Sequence, residues 1–257
     1  MNRFVAALGM AMWLVAAAPA SAIVFGQPDG NAHPWVGAFI APVGDNDELV
    51  PICSGTLIAP TVFLTAAHCT AFLVAVGVET DAVFVTFDSV VSEASTLIPG
   101  EYVHNSDFGG GHSDTHDVAV IRLDSAPAGI TPARLPSAGL LETLDLKSER
   151  FVPVGYGINR QDKTKGQHSL FGSGERWQAE QGFRSLTGAW LNLSMNPSIG
   201  SGGTCYGDSG GPHFLGTSNI VVSITVTGDR WCRSTDVTYR MDTESARSFL
   251  GQYVTLP

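Results

Sequence analysis

The amino-acid sequence predicts an all-β protein finished by a C-terminal helix. Three observations carry that expectation. Short runs of β-branched and aromatic residues recur along the chain, and glycine, proline, asparagine and aspartate stand between them. Charged side chains make up only 15% of the residues, against 29 glycines and 14 prolines. That balance suits many strands joined by turns rather than long surface helices.

In chain order, strands are expected at 36–42 (VGAFIAP), 55–58 (GTLI), 62–66 (VFLTA), 83–87 (VFVTF) and 118–123 (VAVIRL) in the first half. The second half adds 151–154 (FVPV), 189–193 (AWLNL), 220–226 (IVVSITV) and the run DVTYRMD. Prolines between Ala126 and Pro136 mark a boundary between the halves. Residues 159–178, polar and rich in glycine and lysine, read as a long exposed loop. Helical spacing is convincing only at the end, where Thr243 can cap ESARSFLGQYV with Ala246, Phe249, Leu250 and Val254 on one face.

The chain carries 24 acidic and 14 basic residues, a formal charge of −10. An acidic surface with no Lys/Arg cluster lacks the footprint of nucleic-acid binding or of attachment to an anionic membrane. Residues 1–22 read as an export signal: Arg3 supplies the positive start, Phe4 to Ala18 the apolar run, and Ala20-Ser21-Ala22 the small-x-small cleavage site. The apolar run falls short of the ~20 residues that span a bilayer. A secreted or periplasmic protein, free of the membrane once the signal is removed, is expected. Export suits the four cysteines, Cys53, Cys69, Cys205 and Cys232, which permit three connectivities. Pairing the two early and the two late ones is the economical choice. No Cys-x-x-Cys or Cys/His spacing points to zinc, and neither a metal nor a cofactor is expected.

The chemistry concentrates in GGTCYGDSGGPHF, residues 202–214. A serine hydroxyl needs a neighbouring base before it is a useful nucleophile. Glycines on both sides of Ser209 allow a tight bend that turns backbone N–H groups toward one point, where they can hold a developing oxyanion. Gly-x-Ser-x-Gly also matches the nucleophile elbow of α/β-hydrolases. That fold needs a distant histidine after the serine, and here only His213 follows. Upstream, His68 in LTAAHC is the preferred base, since a bridge from Cys69 to Cys53 would pin it. Asp117, at the mouth of the strand 118–123, is the preferred orienting acid, with Asp114 its competitor.

With SGTLIAPTVFLTAAHC, HDVAVIRL and CYGDSGGP in this order, the sequence resembles the chymotrypsin/trypsin-like serine proteases, and the likeness runs through the whole chain after residue 22. The resemblance implies two six-stranded antiparallel β-barrels with a C-terminal helix, residues 23–130 forming the first and 131–257 the second, one peptidase unit with the site between them. It implies His68 as general base, Asp117 as its orienter and Ser209 as nucleophile, with the N–H groups of Gly207 and Ser209 as oxyanion hole. It implies the disulfides Cys53–Cys69 and Cys205–Cys232. It also implies a mature start at Ile23, whose α-amino group would insert beside Asp208, so that signal peptidase itself would make the active end.

By the family's spacing the specificity pocket falls at Gly203, Ser223, Thr225 and Val237. Gly203 stands where Lys/Arg-specific members carry an aspartate, and Thr225 would narrow the wall, so small to medium apolar residues are expected at the cleaved bond. A one-residue slip would instead bring the charge of Asp236 into the pocket. The expected partner is a protein or peptide substrate, and the expected state a monomer. Two rivals remain: a protease-like binder, disfavoured because histidine, aspartate and serine all survive, and an esterase using the same machinery. Outside the site, GDNDE (44–48) reads as solvated turn charges rather than a calcium loop, His112 and His116 as exposed loop residues, and Asn192 as a glycosylation sequon lying in a strand.

Overall fold

The computed structural model describes residues 23–43, 47–111, 113–158 and 174–257. The export segment, His112, His168 and most of 44–48 and 159–178 lie outside the described residues.

Six antiparallel strands close the first barrel: β2 (Val36–Pro42), β3 (Leu49–Ala59), β4 (Val62–Thr65), β5 (Val83–Thr86), β6 (Ile98–Val103) and β7 (Ala119–Leu123), in the spatial order β2-β3-β4-β7-β6-β5. Closure removes the sheet edges. The register Phe39↔Cys53, Leu57↔Phe63 and Phe63↔Ile121 stacks the large apolar side chains inside. The second barrel is β8 (Arg150–Gly155), β10 (Gln181–Leu186), β11 (Trp190–Ser194), β12 (Pro212–Leu215), β13 (Val221–Gly228) and β14 (Thr235–Arg240), closed where β8 pairs with β12. Two further short strands, β1 (Gln27–Pro28) and β9 (Trp177–Gln178), pair with each other, and β9 also pairs with β8. The start of the described chain is thus sewn to the second barrel.

A single apolar cluster runs through both barrels, with Phe39, Phe63, Tyr156, Phe214 and Tyr239 among its buried members. The segment between them is strapped to each side. Ala133 N–H donates to Leu57 C=O at 2.9 Å, and Arg134 N–H to Asn219 C=O at 2.9 Å. The C-terminal helix α2 (Glu244–Leu250) begins where expected: Thr243 Oγ1 accepts from Ala246 N–H at 3.2 Å, and Ala246, Phe249 and Leu250 are buried.

Three expectations need correction. A helix, α1 (Ala67–Val76), follows β4 directly and ends at Gly77, whose left-handed φ of 78° lets its N–H cap Leu73 and Val74. Its sequence AHCTAFLVAV is apolar nearly all round, so it shows no amphipathic stripe to read, and Ala66 offers no capping side chain. Strands β6, β10 and β12 carry proline, glycine or charge (IPGEYV, QGFRSL, PHFL) and match no simple alternation. The end of the polar 159–178 stretch is not exposed: Arg176 and Trp177 are buried.

Candidate active site

His68 is the second residue of α1, and its backbone is held from three sides. Thr65 Oγ1, just before the helix, donates to Ser54 C=O at 2.9 Å. Cys69 is bridged to Cys53 on β3. Asp117, two residues before β7, accepts the His68 N–H on Oδ1 at 2.9 Å and faces His68 Nδ1 with Oδ2 at 2.8 Å. The carboxylate is 2% exposed and the imidazole 30%. A buried carboxylate needs donors, so Nδ1 carries the hydrogen and donates it, leaving Nε2 as the acceptor. Asp114 belongs elsewhere: it accepts from Tyr239 Oη–H at 2.7 Å and from His116 N–H at 2.9 Å.

Ser209 lies in the turn between Cys205 and β12, half-buried. Ser54, a first-barrel residue, grips this turn. Its N–H donates to Ser209 C=O at 2.9 Å and its Oγ–H to Gly207 C=O at 3.0 Å, while the same Oγ accepts from Tyr156 N–H at 3.0 Å. Gly207 and Gly210 both take left-handed φ angles, 92° and 75°. At Gly210 a side chain would also collide with Thr65 Oγ1 and with Ala66 N, 2.7 Å from the Cβ position. The serine turn therefore packs directly on the residues that introduce His68. Among the described residues the N–H groups of Gly207 and Ser209 donate to no protein acceptor, whereas those of Asp208, Gly210 and Gly211 are all used.

Asp208 is fully buried, accepting from Gly157 N–H and Cys205 N–H, each at 2.8 Å. Burial pushes its carboxyl well above the usual carboxylate range. The two backbone donors oppose the shift and the nearby Asp236 adds to it. Ile23 is also fully buried, packed on Trp177, and Val24 exchanges both backbone hydrogen bonds with Gly203 at 2.9 Å. Phe25, which replaces a glycine of the family's opening, takes φ 56° with the Arg233 guanidinium 5.2 Å over its ring.

A cavity of about 130 Å³ opens beside Ser209, lined by Thr204, Tyr206, Thr225, Gly228 and the Cys205–Cys232 disulfide among others. Of the four pocket residues expected from sequence, Thr225 lines it. Gly203 sits behind, bridged to Val24 and pressed by Met195 and Gln181. Ser223 Oγ accepts from Thr238 Oγ1 at 2.8 Å, and Val237 is half-buried on β14. Asp236 is wholly buried one bond behind the wall, where Thr204 Oγ1–H donates to its Oδ2 at 2.7 Å, joined by Gln181 Nε2 at 2.9 Å and His213 Nε2 at 3.0 Å. Sequence reasoning missed Ser54 and Thr204. Both adjoin half-cystines, the one signal that could have marked them. The described Cys/His grouping of Cys53, His68 and Cys69 offers no metal site, because both sulfurs are spent in the disulfide.

Two six-stranded antiparallel barrels joined around a site of this composition are the architecture of the two-barrel serine endopeptidases. The chain belongs to the trypsin family, whose profile matches residues 23–247. Among solved structures it is similar to an HL collagenase, with a TM-score of 0.66 and 20% identity over 90% of this chain and 97% of the other. That likeness establishes the fold.

Proposed function

We propose that this endopeptidase is exported, loses residues 1–22, and cleaves peptide bonds through Ser209, His68 and Asp117. Ser209 Oγ attacks the carbonyl carbon as His68 Nε2 takes its proton. Asp117 holds the tautomer and stabilises the imidazolium. The oxyanion is received by the N–H groups of Gly207 and Ser209, and the imidazolium returns its proton to the departing amine. Water, activated by the same imidazole, then releases the acyl group from Ser209. The observation that carries the reading is the His68–Asp117 pair: a buried carboxylate spends both oxygens on one histidine and leaves its Nε2 free of that carboxylate.

The α-ammonium of Ile23, once freed, pairs with Asp208 and fixes the turn between Cys205 and Ser209. Export is supported by the two disulfides, which persist in oxidising compartments. No helix among the described residues is long and apolar enough to cross a membrane. The substrate is a protein or peptide, the enzyme works as a monomer, and specificity does not arise from an aspartate at position 203, which is glycine. Labelling by a fluorophosphonate, compared with Ser209→Ala, tests the assignment: wild-type protein labels and hydrolyses casein, and the variant does neither. Hydrolysis surviving in Ser209→Ala would refute it. Ester turnover with no peptide turnover would replace the peptidase reading by an esterase.

A further inference from the structure

The residue before the catalytic aspartate is strained. His116 takes φ 51°, a left-handed conformation that costs a side-chain-bearing residue energy and persists only where its surroundings enforce it. From the first barrel, the buried Asn105 donates through Nδ2 to His116 C=O at 3.1 Å, and Val118 N–H donates to the same oxygen at 2.8 Å. From the second barrel comes a tie of a different kind. His116 Nδ1 lies 2.7 Å from Ser245 Oγ on α2, Ser245 Oγ lies 3.1 Å from Tyr239 Oη, and Tyr239 Oη lies 2.7 Å from Asp114 Oδ1. Asp114 Oδ1 in turn accepts the His116 N–H. The four residues close a ring.

One placement of protons satisfies every contact of that ring. Asp114 is ionised. Burial works against its charge, but the donors facing it hold its carboxyl below the usual range. Tyr239 therefore donates to Asp114, Ser245 donates to Tyr239, and His116, as its Nδ1–H tautomer, donates to Ser245. Each hydroxyl gives one hydrogen and receives one. The His116 side chain is 34% exposed and forms part of the wall of an open cavity of about 710 Å³. Its ring is thus partly open to solvent, and the hydrogen bond to Ser245 fixes its orientation.

We propose that Ser245 and Tyr239 are positioning residues for catalysis: through His116 they hold the left-handed turn that delivers Asp117 to both His68 N–H and Nδ1. The inference rests on the reading of Ser209, His68 and Asp117 as the catalytic set. Neither Ser245 nor Tyr239 touches substrate. Both come from the second barrel, while His68 and Asp117 belong to the first. Loss of the ring lets the turn relax toward ordinary φ and loosens the carboxylate that orients the imidazole. Such loosening lowers turnover without weakening substrate binding, since misplacement of catalytic groups is felt in kcat.

The test compares Ser245→Ala, Ser245→Thr and Tyr239→Phe in processed enzyme, using the p-nitroanilide peptide that wild type turns over fastest in a panel with Ala, Leu or Arg at the cleaved position. Ser245→Ala is expected to lower kcat by roughly five- to twentyfold with KM within about twofold, and Tyr239→Phe to behave alike. Ser245→Thr, which keeps the hydroxyl, restores kcat to within about twofold of wild type. A Ser245→Ala enzyme of wild-type kcat overturns the proposal, as does a Thr variant no better than Ala. Ser209→Ala separates this failure from the larger one. An inactive Ser209→Ala beside an unimpaired Ser245→Ala sinks the positioning role alone, whereas an active Ser209→Ala sinks the catalytic assignment beneath it.

Discussion

On the proposal that the freed α-ammonium of Ile23 pairs with Asp208, leaving one extra residue in front of Ile23 removes that pairing, and the cost follows from the site. The carboxylate is fully buried, with two N–H donors at 2.8 Å and a second carboxylate, Asp236, near enough to raise its pKa further. A buried charge deprived of its partner costs about 3–5 kcal/mol, an upper bound here because the carboxyl can take up a proton instead. At about 1.4 kcal/mol per decade, the ordered turn around Ser209 falls in population by at most about a hundred- to several-thousandfold. kcat/KM should drop by the same factor. The extended chain also acquires a pH signature. Its native state keeps on Asp208 a proton that the unfolded chain gives up near the ordinary aspartate pKa, so unfolding releases that proton. Stability therefore declines as pH rises from the unfolded value through the raised folded one. In the processed chain the ammonium keeps Asp208 ionised and the decline disappears. Unfolding temperatures of both forms, measured from pH 4 to 8 in a Ser209→Ala background to prevent autolysis, would show this. Parallel curves, or an extended chain as active as the processed one, would refute the reasoning.

Arg176→Met strands Asp29, which accepts the Arg176 Nε–H at 2.9 Å in a fully buried pair. A loss of about 3–5 kcal/mol, on the order of 10 °C in unfolding temperature, is expected, and a further Asp29→Asn change should recover part of it. The lowered Asp29 carboxyl, ionised against burial by His33 and Arg176, contributes stability above the ordinary carboxylate pKa. That contribution is lost as pH falls through the depressed value, so an acid titration of wild type should show a limb that the double variant lacks. Gly210→Ala forces a side chain into Thr65 and Ala66 at a left-handed φ. About 2–4 kcal/mol of overpacking and strain should displace Ser209 and slow fluorophosphonate labelling at least about tenfold, and an unchanged labelling rate would contradict it. Opening Cys53–Cys69, which closes a 16-residue separation, with paired serines should cost about 3 kcal/mol by thermal unfolding.

Strand content was legible wherever burial is one-sided or complete. Val36–Pro42 and Ala119–Leu123 are unbroken apolar runs apart from a glycine and an arginine, and such runs survive any tertiary context. Helix α1 was not legible, because an apolar decapeptide beside β4 carries no periodic stripe and its start has no capping side chain. His68, Asp117 and Ser209 stand in short motifs whose residue types suit nucleophilic chemistry, so the sequence offers them as candidates, and the structure brings His68 and Asp117 together. The pocket was harder. Its walls are set by strand register, with Gly228 opposite Asp236 and Thr225 opposite Thr238, and by a shift in that register between Thr225 and Thr227, which spacing in one dimension does not reveal. Arg176 was misplaced for a related reason. An arginine in a polar stretch reads as solvated unless its acceptors, here the carbonyls of Gly30, Val36 and Phe87 with Asp29, are known to converge on it.

The residues that share no motif explain why two barrels are needed. Ser54 stands on a first-barrel strand next to a half-cystine, yet its N–H and its Oγ make three hydrogen bonds to the second half of the chain, at Gly207, Ser209 and Tyr156. Ser245 and Tyr239 reach the other way, from the second half to His116 and Asp114. Each barrel thus orders the other's catalytic turn. On the proposed assignment the base and its acid are presented by one barrel and the nucleophile by the other, so the three come together only when both have closed and docked. Such mutual dependence lets a site assembled from turns, the least rigid parts of a β protein, be held as firmly as the sheets that carry it.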